Sequence, residues 1–284
     1  MSVVALEGPH SPEVPLVLDS PHSGSNYPPE FTPIVPRSHF RRAEDFCVDQ
    51  LFGEAPILGL PLYRALFPRI MCDVNRARTD IDPATIEGTL PFTPNPSAKA
   101  RLGKGVLWMD APPPPEPTPL YEVPLSVAEV VRRLDTYWTP YRDGLANLLV
   151  SVRERHGRVF YVDCHSMQTV SSAMHEEGAG KPRPEIVLSD RDGATCQQAF
   201  MTLAADALAA AGFEVSRNDP YKGADLVRSH GRPANGIHAL QIEVRRDLYM
   251  DEDELALTDG FHDTRARLGR ALAAIRDGIA AIET

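Results

Sequence analysis

The sequence has no run of about 18 uninterrupted apolar residues, so no transmembrane helix is predicted. Its first residues, Met1 to Pro9, lack both the charged region and the long apolar core of a secretory leader, and the chain reads as cytoplasmic. Cysteine is sparse. Cys47, Cys72, Cys164 and Cys196 are the four present, and no two form a C-x-x-C pair. That excludes a structural zinc knuckle and a thioredoxin-type motif, and Cys72 and Cys164, inside apolar runs, read as buried thiols. Basic blocks are missing too. With 29 Lys and Arg against 39 Asp and Glu, the net charge is −10, which repels phosphate backbones and argues against a nucleic-acid partner. Neither an internal repeat nor a linker is evident, so residues 1–284 are expected to form one domain. At 43% hydrophobic and 24% charged, the composition matches globular proteins and not disordered, collagenous or coiled-coil chains.

Proline, by contrast, is plentiful. Of 27 prolines, ten fall between Pro91 and Pro124, too many for a regular element. That excursion is either a functional covering loop or a poorly ordered one. Elsewhere, short apolar runs alternate with helical patterns. Val14–Ser20, Leu62–Phe67, Ile70–Val74, Val159–Asp163, Ile186–Leu188, Phe213–Ser216 and Ile237–Val244 read as strands. Ser38–Phe52, Ser126–Arg155, Asp192–Ala211 and the region from about Asp253 onward read as helices, with Pro140 breaking or kinking the second and Gly212 closing the third. Alternation of this kind predicts an α/β layer architecture with a mostly parallel sheet.

Four polar groups stand where strands end. His22 follows the first strand, Asn75 and Arg76 follow Ile70–Val74, His165 follows Val159–Asp163, and Glu243 lies near the end of Ile237–Val244. Ligands of open α/β sheets bind beyond the carboxyl ends of the strands, so these residues are placed to share one site. Two neutral imidazoles and a carboxylate make a three-ligand zinc site with an open position. A separate glutamate there can move a proton, and an arginine can grip a substrate carboxylate through two hydrogen bonds. Each residue also has a plainer explanation. His22 sits in a Pro-His-Ser-Gly turn, Asp73–Arg76 reads as a strand-end turn, and Glu243 can be buried in a salt bridge to Arg245 or Arg246. His10, His39, His156, His175 and His262 have no such context.

The segments Ser20-Pro-His-Ser-Gly24 with Tyr27-Pro28, the acidic stretch around Asp45, Asp73-Val-Asn-Arg76, Asp163-Cys-His-Ser166, the Gly193 region after Asp190, His238 to Arg245 and Tyr249 to Glu252 carry a resemblance. In that order they resemble the N-formylglutamate amidohydrolase family, from residue 16 to about 252. The succession His, Asn-Arg, His, Glu is also similar to that of zinc carboxypeptidases and aspartoacylases. This resemblance implies their fold, a single three-layer α/β/α domain with a mixed, mostly parallel central sheet. It departs in one respect, because those relatives take a ligand from His-x-x-Glu and here Ser25 stands three residues after His22.

The resemblance implies one Zn2+ per chain, or another divalent metal in its place, held by His22, Asp45 and His165, with Glu44 as the fallback for Asp45 and Asp163 orienting His165. Glu243 is expected to act on the attacking water and Arg76 on a substrate carboxylate, with Asn75 beside it. The substrate implied is a small anionic N-acyl amino acid, N-formyl-L-glutamate, cleaved to formate and glutamate in histidine breakdown. Its two carboxylates call for a second cation, for which Arg228 is the candidate, with Lys222 behind it. Two alternatives remain open at this point. One is a zinc deacylase or carboxypeptidase for another acyl amino acid or short peptide. The other is a non-catalytic binding module on the same fold.

Overall fold

The computed structural model describes residues 2–113, 116–175 and 178–282. Seven strands form its main sheet: β1 (Val4–Glu7), β2 (Leu16–Ser20), β3 (Leu62–Ala65), β4 (Val159–Met167), β5 (Ile186–Ser189), β6 (Val215–Arg217) and β7 (Ile237–Arg245). They lie in the order β1-β3-β2-β4-β7-β5-β6. The four central strands, β3, β2, β4 and β7, run parallel. β1 pairs antiparallel with β3, and β5 antiparallel with β7, while β6 runs parallel to β5. The sheet is therefore mixed and mostly parallel, as expected.

Both of its faces are covered, which is why β2 and β4 read as nearly continuous apolar runs. Every residue of these two strands is buried. Alternation then divides them between two cores. Leu16, Leu18, Phe160, Val162, Leu240 and Ile242 pack with α6 (Gln198–Ala210) and α8 (Gly260–Gly278). Val17, Tyr161 and Ala239 point the other way, onto α4 (Val127–Arg133) and α5 (Thr139–His156). One π-helical turn, Leu134–Trp138, joins α4 to α5, so Pro140 falls in the first turn of α5, where its missing N–H is tolerated. None of the described helices is long and apolar enough to cross a membrane.

Several predicted elements differ. Ile70–Val74 is not a strand. It is a buried, turn-rich segment whose backbone bonds into loops, with Met71 N–H donating to Pro68 and Asp73 N–H to Val106. Ser38–Phe52 is not one helix but two short ones, α1 (Arg37–Phe40) and α2 (Val48–Leu51). The chain between them is broken by extended backbone at Glu44 and a left-handed Cys47. The last two long helices begin later than predicted, at Gln198 and Gly260, and the edge strand β1 was not foreseen. The Pro-rich stretch is packed. It holds α3 (Ala98–Arg101) and a small ladder between Asp110–Ala111 and Thr118–Pro119, and it buries Val106, Leu107, Trp108 and Leu120. Its Pro114 and Pro115 lie outside the described residues.

Candidate active site

Parallel pairing of β4 and β7 sets the site. In their register His165 stands beside Glu243 and Asp163 beside Gln241. The two-residue period then puts all four side chains on one face of the sheet, at the carboxyl end of both strands. β2 ends nearby and hands the chain to Pro21 and His22. Gly24 closes that turn against β3's exit. A Cβ there would come 2.4 Å from the Phe67 carbonyl oxygen, so the turn can sit this close only with glycine. Asp45 arrives from the break between α1 and α2, where its N–H donates to the His22 carbonyl at 3.1 Å.

His22, Asp45 and His165 converge, with one candidate ligand atom from each lying within 4.8 Å of the others. His165 Nδ1 is 2.9 Å and His22 Nδ1 is 3.4 Å from the same oxygen, Asp45 Oδ2. The far nitrogens face other carboxylates: His22 Nε2 is 2.8 Å from Asp73 Oδ1, and His165 Nε2 is 2.6 Å from Asp163 Oδ1. A carboxylate on one nitrogen fixes the tautomer that leaves the other nitrogen's lone pair for a cation. His22 Nδ1 is buried and makes no hydrogen bond. An unsatisfied buried polar atom is costly, and a cation among these three residues would satisfy it. The donor set, two imidazoles and one carboxylate, thus fits a divalent metal.

Electrostatics keep Asp45 and Asp73 ionised. Burial works against the Asp45 carboxylate, but the His165 hydrogen bond, the neighbouring His22 imidazole and the nearby Arg69 charge prevail and hold it well below its ordinary range. Asp73 behaves alike, with Arg69, His22 and Arg76 overcoming its burial. Burial opposes a charge on His165, yet Asp163 and Asp45 raise its affinity for a proton well above that of a free imidazole. Glu243 goes the opposite way. Burial pushes its carboxyl up to about 7, a rise that the His165 charge moderates and Asp45 reinforces. Its Oε1 accepts a 2.8 Å hydrogen bond from Gln241 Nε2, and among the described residues it has no ion-pair partner.

The salt-bridge alternative for Glu243 therefore fails on geometry. Arg245 pairs with Asp247, and Arg246 bonds Ser166 Oγ, the Glu44 carbonyl and Asp45 Oδ1. Glu44 is not part of the convergence, because it takes the Tyr27 hydroxyl and Arg41 instead. Asn75 and Arg76 reach the site from a turn. Asn75 Nδ2 donates to Asp163 Oδ2 at 3.0 Å and lies 2.9 Å from His165 Nε2, while its Oδ1 accepts from Leu226 N. Arg76 is buried, held by the Lys104 and Asn75 carbonyls.

His22, Asp45, Asn75, Arg76, His165 and Glu243 line a cavity of about 830 Å3. Arg228 is not among its lining residues, which corrects the sequence-based assignment. On the short helix α7 (Asp225–His230) it lies one turn after Asp225, exposed, with its guanidinium forked onto that carboxylate. Lys222 does reach the rim, where it pairs with Asp192 at 2.7 Å. Sequence reasoning overlooked Arg69, whose guanidinium bonds Asp73 at 2.9 Å and Asp45 at 3.4 Å over the Trp108 ring. It also considered Arg246 only as a partner for Glu243, and passed over Arg191 and His175, which line the cavity as well. Only the spacing of Arg69 four residues before Asp73 hinted at its part.

Comparison with known proteins bears on the family and the fold. A family model for N-formylglutamate amidohydrolase matches residues 14–250. The crystal structure of an N-formylglutamate amidohydrolase from Ralstonia eutropha JMP134 superposes with a TM-score of 0.89 at 37% identity, covering 99% of this chain and 98% of the other. N-formylglutamate deformylases of Pseudomonas aeruginosa and Pseudomonas putida are each 27% identical, over 243 and 249 residues. Those alignments cover 84% and 86% of this chain, and 83% and 85% of theirs. With the family pattern spanning most of its length, the chain belongs to the N-formylglutamate amidohydrolase family.

Proposed function

We propose that this protein hydrolyses the formyl amide of N-formyl-L-glutamate to formate and L-glutamate, with one zinc ion held by His22, Asp45 and His165. The observation that carries the reading is the pairing of Glu243 with His165 across two parallel strands, an unpaired carboxylate beside a cluster able to hold a cation. In this reading the reaction is a late step of histidine breakdown.

When bound, the metal supplies Lewis acidity at the meeting point of the three residues. Glu243 takes a proton from the attacking water, whose oxygen bonds to the formyl carbon. As the C–N bond breaks, Glu243 returns that proton to the departing nitrogen. A carboxyl with a pKa near 7 suits both halves of the exchange. Asp73 and Asp163 hold the two imidazoles in the ligating tautomer. Arg69 and Arg246 keep Asp45 ionised and turned, one oxygen on the guanidiniums and the other toward the histidines. Arg76 binds a substrate carboxylate, and Asn75 fixes the turn that carries it. The basic lining of the cavity explains how a chain of net charge −10 admits a dianion, since charges beyond about 8–10 Å are screened.

The test is metal analysis of the purified chain followed by formate release from N-formyl-Glu, N-formyl-Asp and N-formyl-Gln, and acetate release from N-acetyl-Glu. One zinc per chain and fastest turnover of N-formyl-Glu are expected. A metal-free chain with full activity, or one that prefers N-acetyl-Glu, overturns the proposal.

A further inference from the structure

The cations of the cavity differ sharply once their counterions are counted. Arg69 is committed to Asp45 and Asp73, Arg246 to Asp45, and Lys222 to Asp192. Arg191 is not committed. Its Nη1 donates to the Gly223 carbonyl at 2.8 Å, and among the described residues its Nε and Nη2 make no hydrogen bond and no carboxylate lies within ion-pair distance. One edge of this guanidinium is anchored on backbone, while the other stays available for a carboxylate, the geometry that suits two-point recognition.

The backbone beneath it is unusual. Arg191 and Asp192 both have φ of 58°, followed by Gly193 at 85°. Two consecutive non-glycine residues in the left-handed region are held there only when the surroundings impose it. Here they do. Asp190 N–H donates to Asn218 Oδ1 at 3.0 Å, Asn218 Nδ2 returns a bond to Asp190 Oδ1 at 2.8 Å, and Gly193 N–H adds another at 2.9 Å. Arg191 N–H is tied to the Lys222 carbonyl at 2.8 Å. The same loop couples the turn to the reacting end of the site. Ala224, next to the Gly223 that anchors Arg191, donates its N–H to Gln241 Oε1 at 2.9 Å, and Gln241 in turn holds Glu243.

Arg76 and Arg191 also flank the site. Arg76 follows β3 and Arg191 follows β5, and the strands carrying His165 and Glu243 lie between them in the sheet. Arg76 sits three residues from Asp73, which backs His22, so it is tied close to the scissile amide, where the α-carboxylate must be. Resting on the proposed N-formyl dicarboxylate substrate, we infer that Arg191 is the specificity-determining residue that binds its side-chain carboxylate.

Steady-state kinetics on the metal-loaded full chain test this, with N-formyl-L-Glu and N-formyl-L-Gln as substrates. Arg191→Gln should lower kcat/KM for N-formyl-Glu by about 10- to 100-fold, the worth of a charge-assisted pair, and leave N-formyl-Gln nearly unchanged. Arg191→Asn, better suited to a left-handed backbone, should do the same and serves if the glutamine variant folds poorly. Lys222→Ala should keep the preference for Glu over Gln. Equal losses on both substrates, or an undiminished preference in both Arg191 variants, overturn the assignment alone. A wild type inactive on both overturns the N-formyl reading and this assignment with it.

Discussion

Replacing Glu243 by Gln separates catalysis from stability. The amide keeps the size of the carboxylate, and its oxygen can still accept the Gln241 hydrogen bond, but it cannot take a proton from water at neutral pH. General acid–base catalysis contributes about 10²- to 10⁴-fold, so kcat should fall by that factor with KM and metal content little changed. Stability should move the other way. In the folded, metal-free protein burial raises this carboxyl from 4.5 to about 7. A raised carboxyl opposes folding at high pH: the penalty is absent below about 4.5, grows through the interval, and is complete above about 7. At 1.36 kcal/mol per pH unit it amounts to at most about 3 kcal/mol, less where solvent reaches the group. The glutamine variant escapes it. Measured by calorimetry on metal-free protein at pH 8, its Tm should equal or exceed that of the wild type, with the advantage vanishing near pH 4.5. Had Glu243 belonged to a buried ion pair, the same change would cost about 3–5 kcal/mol. A variant that melts well below wild type at pH 8 yet hydrolyses N-formylglutamate at wild-type kcat would refute both halves of the reasoning.

Asp45→Asn should abolish stoichiometric metal binding, whereas Glu44→Gln should retain it, because Glu44 faces Tyr27 and Arg41; elemental analysis after gel filtration decides, and the opposite pattern moves the ligand to Glu44. Asp73→Asn should weaken metal affinity by about 10- to 100-fold, as expected when the carboxylate behind a ligating imidazole is removed; competition against a chromogenic chelator reads this, and unchanged affinity would assign Asp73 to loop structure only. Metal affinity should fall as pH is lowered, since a proton and a cation compete for His165 Nδ1 and the neighbouring carboxylates favour the proton; a pH-independent Kd between 5.5 and 8 contradicts this. The acid limb of kcat/KM should lie at or below pH 7 and shift or disappear in Glu243→Gln, because Glu243 accepts a proton only when ionised and a bound dication lowers its pKa from about 7.

The parts of this design that were legible in the sequence are those that depend on neighbours along the chain. β2, β4 and β7 announced themselves as buried runs, and the polar residues at or just past their ends do meet. What depended on distant neighbours was hidden. That β5 runs antiparallel to β7 is a property of the pair, absent from Ile186–Ser189 itself. Ile70–Val74 looks like a strand because it is apolar, yet its backbone partners come from Pro68 and Val106 rather than from another strand. The Ser38–Phe52 helix fails where Asp45 must fold back onto the His22 carbonyl, and no local propensity encodes that contact. Arg228 and Arg191 are equally basic in sequence. Only the position of Asp225, one turn before Arg228, shows that the former already has its partner.

The position of β7 in the sheet bears on how the protein can be made. It is the last of the main sheet's seven strands in chain order, yet it lies inside the sheet, between β4 and β5, and β5 hydrogen-bonds to nothing in the main sheet except β7 and β6. During synthesis the first four strands can pair with one another as they emerge. The β5–β6 hairpin-less pair, however, has no place to dock until residues 237–245 have left the ribosome. Glu243 arrives in that same late stretch and Arg246 immediately after it. The three candidate ligands are thus all translated before Glu243 and before one of the two guanidiniums that bond Asp45. A nascent chain halted short of residue 237 would carry the three candidate ligands without the strand that completes their sheet. Completion of the sheet is therefore timed by the delivery of a single late segment.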